Sequence, residues 1–260
     1  MSRAIVRAGA DRLLPWLLPV LALAAWEGLA QAGLISTRVL PKLSDVALAG
    51  VRLTGSGELF GHLQASFARA GAGFLIGGGL GFVLGLLNGI FPVAEKLLDS
   101  TVQMIRNVPH LAMIPLVILW FGIDEEAKLF LVALGVMFPI YLNTFHGIRT
   151  VDAGLIEMGR SYGLTHWQLL TEVILPGALP SILIGLRFAL GIMWLTLIVA
   201  ETISASSGIG YMAMNAREFL QTDVVVLGVL LYALLGKLAD SVARLLERWS
   251  LGWHPAFQKP

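Results

Sequence analysis

The sequence has no cysteine and little charge. The absence of cysteine from the 260 residues excludes disulfide frameworks, thiolate metal sites and cysteine nucleophiles. Only 13% of the residues are charged, whereas about 25% is typical of soluble domains. The net charge of +1 provides no basic field for nucleic acid. The five histidines form no H-E-x-x-H pair, so we expect no metal site and no cofactor bound by this chain.

Apolar residues, in contrast, are abundant. They make up 57% of the chain, and the mean hydropathy is +0.79. Runs of roughly 18 to 22 apolar residues are long enough to cross a hydrocarbon core of about 30 Å as helices. We therefore predict an all-α polytopic membrane protein with about six transmembrane helices. The predicted spans lie near residues 13–31, 70–90, 104–122, 129–145, 181–203 and 224–242.

The first apolar run has two interpretations. Arginines precede it, and Ala30-Gln31-Ala32 fits the cleavage pattern of a signal peptide. The run is longer than the apolar part of a typical signal peptide, so we favour a retained first helix. Six spans place both termini on one side, and the excess of basic residues there predicts that this side is cytoplasmic. Those residues are Arg3, Arg7, Arg12, Lys96, Arg106, Arg149, Arg160, Arg244, Arg248 and Lys259.

Glycine recurs at every fourth position of the second run. Such small-xxx-small spacing leaves a bare backbone stripe on one helix face, which lets another helix approach closely. A phosphate-binding loop is the alternative, but neither GxGxxG nor GxxxxGK[ST] occurs in the chain. We therefore favour helix packing. The residues are Gly73, Gly77, Gly81, Gly85 and Gly89.

The segment 146–180, between the fourth and fifth spans, is polar and falls on the predicted cytoplasmic side. Residues 152–162 have a helical pattern, Gly163 interrupts it, and Thr165-His166-Trp167-Gln168 predicts a capping box for a second short helix. We expect this second helix to end before Leu175-Pro176-Gly177. One face of it is apolar, which indicates either a docking surface for a second protein or a helix lying on the lipid headgroups.

The spacing in this segment resembles a known signature. Glu157, Gly163, Val173 and Leu175-Pro176 match the cytoplasmic loop of ABC-transporter permease subunits, which reads EAA, three residues, Gly, nine residues, Ile, one residue, Leu-Pro. This sequence departs from it in Met158-Gly159, which replaces two alanines, and in Val173, which replaces isoleucine. Glycine instead of alanine weakens a helix by about 1 kcal/mol.

The resemblance extends over about residues 40–253. The chain is similar to the nitrate, taurine and sulfonate branch of these permeases, and within it to the aliphatic sulfonate permeases. The matching segments are Arg106-Asn107-Val108-Pro109, Phe121-Gly122, Pro139-Ile140-Tyr141-Leu142-Asn143-Thr144, Ala200-Glu201-Thr202, Ser207-Gly208-Ile209-Gly210 and Phe219-Leu220-Gln221-Thr222-Asp223. Taurine, nitrate, bicarbonate or a similar small anion is the alternative substrate.

The resemblance implies a type I ABC importer permease, a transport subunit rather than an enzyme, with a role in sulfur assimilation. It implies a homodimer in the lipid of the bacterial cytoplasmic (inner) membrane, spanning it several times. The other partners are two ATP-binding subunits and a periplasmic or lipid-anchored sulfonate-binding protein. ATP and magnesium would be bound by the partner ATPase. We expect one permease domain over 1–260, with its core at 60–245 and a coupling loop at 146–180.

In such a permease the loop couples ATPase closure to a switch between inward and outward access. Glu157 is expected to make a polar contact with the ATPase, or else to be a solvated helix charge. The expected coupling residues are Glu157, Gly159, Arg160, Ser161, Tyr162, Gly163, Leu164, Thr165 and Trp167.

Polar groups inside apolar spans indicate a translocation pathway or a gate, because they are costly in hydrocarbon. Arg187 either faces an anion cavity or extends to the cytoplasmic end of its helix. Glu201 would repel an anion, so we expect it to pair, for instance with Arg217, or to form a gate. His110 and Asn143 are more typical of hydrogen-bond partners between helices. The candidates are Glu27, Asn88, His110, Asn143, Arg187 and Glu201.

Two other classes of protein fit less well. A secondary transporter predicts an internal repeat and an ion site at the membrane midplane, and no repeat is visible in the sequence. An intramembrane enzyme requires a nucleophile with its base or a metal cluster, and neither GxSxG nor HExxH occurs. An importer permease therefore accounts for more of the sequence than either class.

Overall fold

The computed structural model describes residues 2–253, without the side chains of residues 2–13, Pro15 and Ser204. Lys259 and the side chains of Arg3, Arg7 and Arg12, used above for orientation, lie outside the described part. The all-α prediction is confirmed, since residues 2–253 contain no strand. The α-helices are α1 Ser2–Gln31, α2 Leu43–Ser56, α3 Glu58–Ile90, α4 Pro92–Arg106, α5 Ile114–Phe121, α6 Glu125–Arg149, α7 Ala153–Ser161, α8 His166–Gln168, α9 Leu175–Ser204, α10 Ile209–Glu218 and α11 Thr222–Ser250.

Within residues 2–253, four helical segments are long and apolar enough to cross a membrane, and a bent pair provides a fifth if it is counted as one span. The four are Glu58–Ile90, Glu125–Arg149, His166–Ile203 and Thr222–Ser250. Each is longer than the apolar run that predicted it, because the helix continues through polar residues at its ends. In α1 the described apolar part, Trp16–Gln31, is shorter than the other spans. The first predicted span, near residues 13–31, therefore stays a prediction.

The third predicted span is wrong as a single helix. The chain instead forms α4, a short 3-10 helix at His110–Met113, and α5, with a bend of 78° between α4 and the following pair. Proline at 109 disfavours helical geometry at Val108, the residue before it. The break in the helix follows from this local restriction on the backbone. Hydropathy alone does not reveal such a restriction.

The glycine stripe of α3 faces α6. A β-carbon on Gly77 or Gly81 would overlap the backbone of Ala133 or Met137. A β-carbon on Gly85 would lie 2.7 Å from the carbonyl oxygen of Tyr141. The two end positions are also close, at 2.6 Å from Val132 for Gly73 and 2.8 Å from Ile148 for Gly89. The two backbones therefore approach to a distance at which only glycine fits.

α6 also packs closely against α9. A β-carbon on Gly147 would lie 2.9 Å from the carbonyl oxygen of Ala178, and one on Gly185 would lie 2.6 Å from Cβ of Asn143. Val132, Val136 and Leu197 are fully buried. α6 is thus the central helix, with α3 and α9 packed against it.

The chain divides into two compact units. The smaller comprises Met1–His62 with Met212–Leu231, and the larger comprises Leu63–Tyr211 with Tyr232–Pro260. In the smaller unit, Glu27 accepts hydrogen bonds from the backbone nitrogen of Leu43, at 2.7 Å, and from Oγ of Ser44, at 2.9 Å. Glu27 therefore binds the start of α2. The expectation of one permease domain with a core at 60–245 stays a prediction.

Candidate functional site

The segment 153–174, hereafter the elbow, is built from two short helices and a left-handed turn. Oδ1 of Asp152 accepts from the backbone nitrogen of Gly154 at 2.7 Å and caps α7. Gly163 has φ of +81°, which favours glycine. At the start of α8, the nitrogen of Thr165 donates to Oε1 of Gln168 at 3.0 Å and the nitrogen of Gln168 donates to Oγ1 of Thr165 at 3.3 Å. Both ends of the bend are thus held by local hydrogen bonds.

The two arms of the elbow pack against each other at Gly159. This glycine is buried, and a β-carbon there would lie 2.8 Å from Cδ1 of Leu169 and 3.2 Å from Cδ1 of Leu164. The departure from the family pattern at this position thus has a packing role. A glycine costs α7 helix propensity, but it lets the second arm approach closely.

The outer side of the elbow exposes both apolar and polar groups. Tyr162 is 81% exposed and Trp167 is 70% exposed. Leu164 is half-buried, and Ser161 Oγ donates to the carbonyl of Glu157 at 2.9 Å. Of the expected coupling residues, those exposed are Glu157, Arg160, Ser161, Tyr162, Gly163, Thr165 and Trp167. The surface has the mixture of aromatic and polar groups that protein interfaces favour.

The second arm of the elbow does not end before Leu175-Pro176-Gly177, and the prediction of a stop there is wrong. α8 passes through a π-helical turn at Leu169–Ile174 directly into α9. Pro176 lacks the N–H that a continuous helix would bond to the preceding turn, and the π-helical turn lies directly before it. The elbow is therefore continuous with a membrane-spanning helix.

A groove of about 450 Å³ lies beside the elbow, and Trp253 lines it together with Met158, Tyr162 and Pro176. Nε1 of Trp253 donates to the carbonyl of Ser250 at 2.9 Å, which holds the indole at the end of α11. Trp253 is not among the site residues predicted from the sequence. Its only signal in the sequence is an aromatic residue that follows the last apolar run.

Glu201 lies in a buried polar cluster. Its carboxylate is 2.8 Å from Nη1 of Arg69, and it accepts from Oγ of Ser66 at 2.8 Å and from the hydroxyl of Tyr232 at 3.0 Å. The nitrogen of Gly210 also donates to it, at 2.9 Å. The expected pairing with Arg217 is wrong, because Arg69 of α3 supplies the cation.

Arg69 also binds a second carboxylate. Its Nε is 2.6 Å from Oε2 of Glu125, and its Nη1 donates to the carbonyl of Ser207 at 2.5 Å. Nζ of Lys128 lies 3.0 Å from Oε1 of Glu125, so the cluster contains two cations and two carboxylates. Buried charges need such pairing, since removing one partner leaves an uncompensated charge. Ser66, Arg69, Glu125 and Lys128 are not among the site residues predicted from the sequence.

His110, Asn143 and Asn88 make contacts within or between helices. Nε2 of His110 is 3.0 Å from Oγ1 of Thr196. Nδ2 of Asn143 donates to the carbonyl of Pro139 at 2.9 Å, and Nδ2 of Asn88 donates to the hydroxyl of Tyr141 at 2.7 Å. The side chain of Asn143 therefore forms a hydrogen bond within α6, whereas that of His110 connects the 3-10 helix to α9.

Arg187 pairs with α11 rather than extending to the end of its helix. Its Nε is 2.7 Å from Oδ1 of Asp240, and Oδ2 of Asp240 accepts from Arg244. At a rise of 1.5 Å per residue, Arg187 is about 18 Å from the start of α9 and about 21 Å from Glu201. The candidate pathway residues are thus spread along the membrane-spanning helices rather than gathered in one site.

The described side chains contain no group of three or more His, Asp or Glu that could hold a metal ion. The arrangement instead combines an exposed elbow continuous with α9, a paired cation midway along α9, and a buried charge cluster at its far end. One continuous helical segment therefore connects the elbow to Arg187 and Glu201.

Comparison with known proteins gives consistent results. Residues 77–251 match the family described as binding-protein-dependent transport system inner membrane component. The chain is 64% identical over 95% of its length to the putative aliphatic sulfonates transport permease protein SsuC of Escherichia coli strain K12, and covers 94% of that protein. It is 50% identical over 93% of its length to the protein of the same description in Bacillus subtilis strain 168, and covers 88% of it.

A solved structure shares the fold. The chain is similar to a crystal structure of an amino acid ABC transporter with histidines, with a TM-score of 0.58 and 20% identity. The match covers 77% of this chain and 97% of that one. At this identity the likeness concerns the fold alone.

Proposed function

Because the chain belongs to the family of binding-protein-dependent transport system inner membrane components, we propose that it is the permease subunit of an ATP-driven importer for aliphatic sulfonates. The assignment of the substrate rests on the 64% identity, over 95% of the chain, to a putative aliphatic sulfonates transport permease. The match extends over nearly the full length of both proteins, and the taurine permease of Escherichia coli strain K12 is less similar, at 36% identity.

The whole chain acts as one permease domain in the bacterial cytoplasmic membrane, with both termini and the elbow in the cytoplasm. It works as a homodimer with two ATP-binding subunits and a sulfonate-binding protein outside the membrane. ATP and magnesium bind to the ATPase, and this chain holds no cofactor of its own. The description of the family supports a binding protein as a partner. The exposed aromatic side chains of the elbow support an ATPase as a second partner.

The elbow couples ATP hydrolysis to transport by moving α9. Tyr162 and Trp167 contact the ATPase, and closure of the ATPase dimer pushes the elbow. Because the π-helical turn joins α8 to α9 without a break, the push acts directly on the helix that carries Arg187 and Glu201. Two discrete arrangements of packed helices then give inward and outward access.

The residues along α9 have different roles in this cycle. Arg187 lies on the pathway of the anion, and His110 and Asn143 hold the helices that line it. Glu201 belongs to a gate, since its cluster ties α3, α6 and α9 together at the end opposite to the elbow. An ion-paired cluster of this kind has to reorganise as a unit when the helices separate.

The test is uptake of radiolabelled alkanesulfonates by proteoliposomes that contain the permease, its ATPase and the binding protein. We expect uptake that requires ATP and competes with unlabelled alkanesulfonates, but only weakly with taurine, nitrate or bicarbonate. Stronger competition by one of these anions would assign the importer to that anion. Uptake driven by an ion gradient without ATP would indicate a secondary transporter and overturn the proposal.

A further inference from the structure

A cavity of about 520 Å³ between α9 and α11 has a charged end and an apolar wall. Arg187 and Asp240 form the charged part. Ile184, Phe188 and Leu195 line the remainder from α9, and all three are exposed in the monomer. The cavity is thus amphiphilic, which is unusual for a surface that faces only hydrocarbon.

The charge in this cavity is not balanced. Arg187 and Arg244 share the single carboxylate of Asp240, so the group carries an excess of one positive charge. Arg187 uses only Nε in this contact. Across residues 2–253, no hydrogen bond involves its two terminal nitrogens. A guanidinium has five N–H donors, so most of those on Arg187 remain available to an anion.

The position of Arg187 makes this excess charge costly. It lies about 18 Å from the start of α9 and six residues past the start of the predicted apolar run 181–203, where an unpaired cation is costly. A purely structural ion pair would need one cation for one carboxylate. An anion that entered the cavity would balance the excess positive charge of Arg187 and Arg244.

The apolar wall is kept open by glycine. A β-carbon on Gly191 or Gly236 would have no atom within 4 Å, so packing does not require glycine at either position. Inside a helix, glycine is less favourable than alanine. Both glycines line the cavity, where the absent side chains leave room for an alkyl chain.

We propose that this cavity binds an alkanesulfonate during transport, and that Asp240 competes with the sulfonate for Arg187. The sulfonate oxygens accept from the terminal N–H groups of Arg187, and the alkyl chain lies against Phe188. Asp240 holds Arg187 when the cavity is empty, and remains paired with Arg244 when the sulfonate arrives. This inference rests on the proposed function, because it assigns a place in the permease to the same substrate.

The experiment measures equilibrium binding of radiolabelled hexanesulfonate to the purified permease–ATPase complex in phosphatidylcholine nanodiscs, without the binding protein. We expect saturable binding that Arg187→Gln weakens about tenfold or more, because a charge-assisted contact is lost. Asp240→Asn should strengthen binding severalfold, since it removes the competitor. Opposite effects from the two partners of one ion pair cannot arise from misfolding.

A second variant tests the apolar wall. Phe188→Ala should weaken binding of octanesulfonate more than that of methanesulfonate, because only the longer chain reaches the ring. Arg187→Lys, which keeps the charge but not the forked donors, provides a folded control and should give an intermediate affinity. Equal loss for both chain lengths would overturn the placement of the alkyl chain.

Other outcomes separate this inference from the proposed function. If the wild-type complex binds no hexanesulfonate but imports alkanesulfonates when the binding protein is added, the cavity proposal is wrong and the function stands. If the full system imports no sulfonate, the proposed function itself fails. An anionic lipid could present a similar group, so the assay is repeated with phosphatidylglycerol. Retention of this lipid through Arg187, with no sulfonate binding, would assign the cavity to lipid.

Discussion

Nη1 of Arg69 lies 2.8 Å from Oε1 of Glu201, and both side chains are buried, with exposed fractions of 6% and 1%. The two residues are on different helices, α3 and α9, and no spacing rule in the sequence connects them. Their pairing shows why an acidic residue can lie in an apolar span of a protein proposed to carry anions. Glu201 is neutralised by Arg69 and does not face the substrate as a free charge.

This pairing predicts a large loss of stability when only one partner is neutralised. Glu201→Gln should lower the free energy of unfolding by about 3 to 5 kcal/mol, because it leaves the positive charge of Arg69 undercompensated in a buried site. The measurement is unfolding of the purified permease in detergent. Arg217→Gln is the matched control, because Arg217 is exposed, and should change the stability by less than about 0.5 kcal/mol.

The double variant Arg69→Gln with Glu201→Gln makes the test more specific. If the two charges interact, the combined loss should be smaller than the sum of the single losses. Additive losses would show that the ion pair contributes nothing beyond two separate polar groups, and would remove the basis for its role in a gate.

The glycine stripe of α3 predicts opposite effects at two neighbouring glycines. A β-carbon on Gly77 would overlap the backbone of Ala133, whereas one on Gly79 would have no atom within 4 Å. Gly77→Ala should destabilise the permease by about 1 to 3 kcal/mol through overpacking. Gly79→Ala should leave stability unchanged or raise it by up to about 1 kcal/mol, because alanine favours the helix. Thermal unfolding in detergent compares the two, and equal effects would contradict the assigned face.

These residues also show how far the sequence could predict the structure. Spacing every four residues identified the glycine face, because α-helical periodicity is local. Thr165 and Gln168 likewise identified a capping box from four consecutive residues. The break at Pro109 and the continuity through Pro176 were missed. Each depends on how backbone hydrogen bonds are redistributed around a proline, as in the π-helical turn before α9.

The candidate site was harder to predict than the helices. The elbow has a local motif, so its two short helices and the turn at Gly163 could be predicted from the sequence, and its coupling role follows from the resemblance to ABC-transporter permeases. The partners of Glu201 and Arg187 come from helices distant in the sequence, and a single sequence contains no signal for such pairs. Asp240 and Arg69 therefore became visible only in the structure.

The exposed side of the elbow predicts that ATPase binding can be lost without unfolding. Tyr162 is 81% exposed, so Tyr162→Glu should remove the ATPase from the purified complex while the thermal stability of the permease stays the same. Phe60→Glu is the control, because Phe60 is also an exposed aromatic, at 72%, and lies outside the elbow. If Tyr162→Glu instead releases the elbow from lipid and leaves the ATPase bound, the elbow is an interfacial helix.

Trp253 predicts a defect in coupling rather than in assembly. It lines the groove beside the elbow together with Met158 and Tyr162, and it is held to the end of α11 through Ser250. Trp253→Ala should remove the indole that lines the groove beside the elbow, so that ATP is hydrolysed with less sulfonate imported per ATP. The measurement is the ratio of uptake to hydrolysis in proteoliposomes.

Trp249→Ala is the matched control for this coupling test. Trp249 belongs to the same helix end but does not line the groove, and it is 84% exposed. We expect the ratio of uptake to hydrolysis to remain that of the parent in Trp249→Ala and to fall severalfold in Trp253→Ala. Because both variants remove one indole from the end of α11, a general loss of membrane anchoring would affect them alike. If the ratio falls equally in both variants, the defect lies in membrane anchoring. If the ratio is unchanged in both, the groove has no role in coupling.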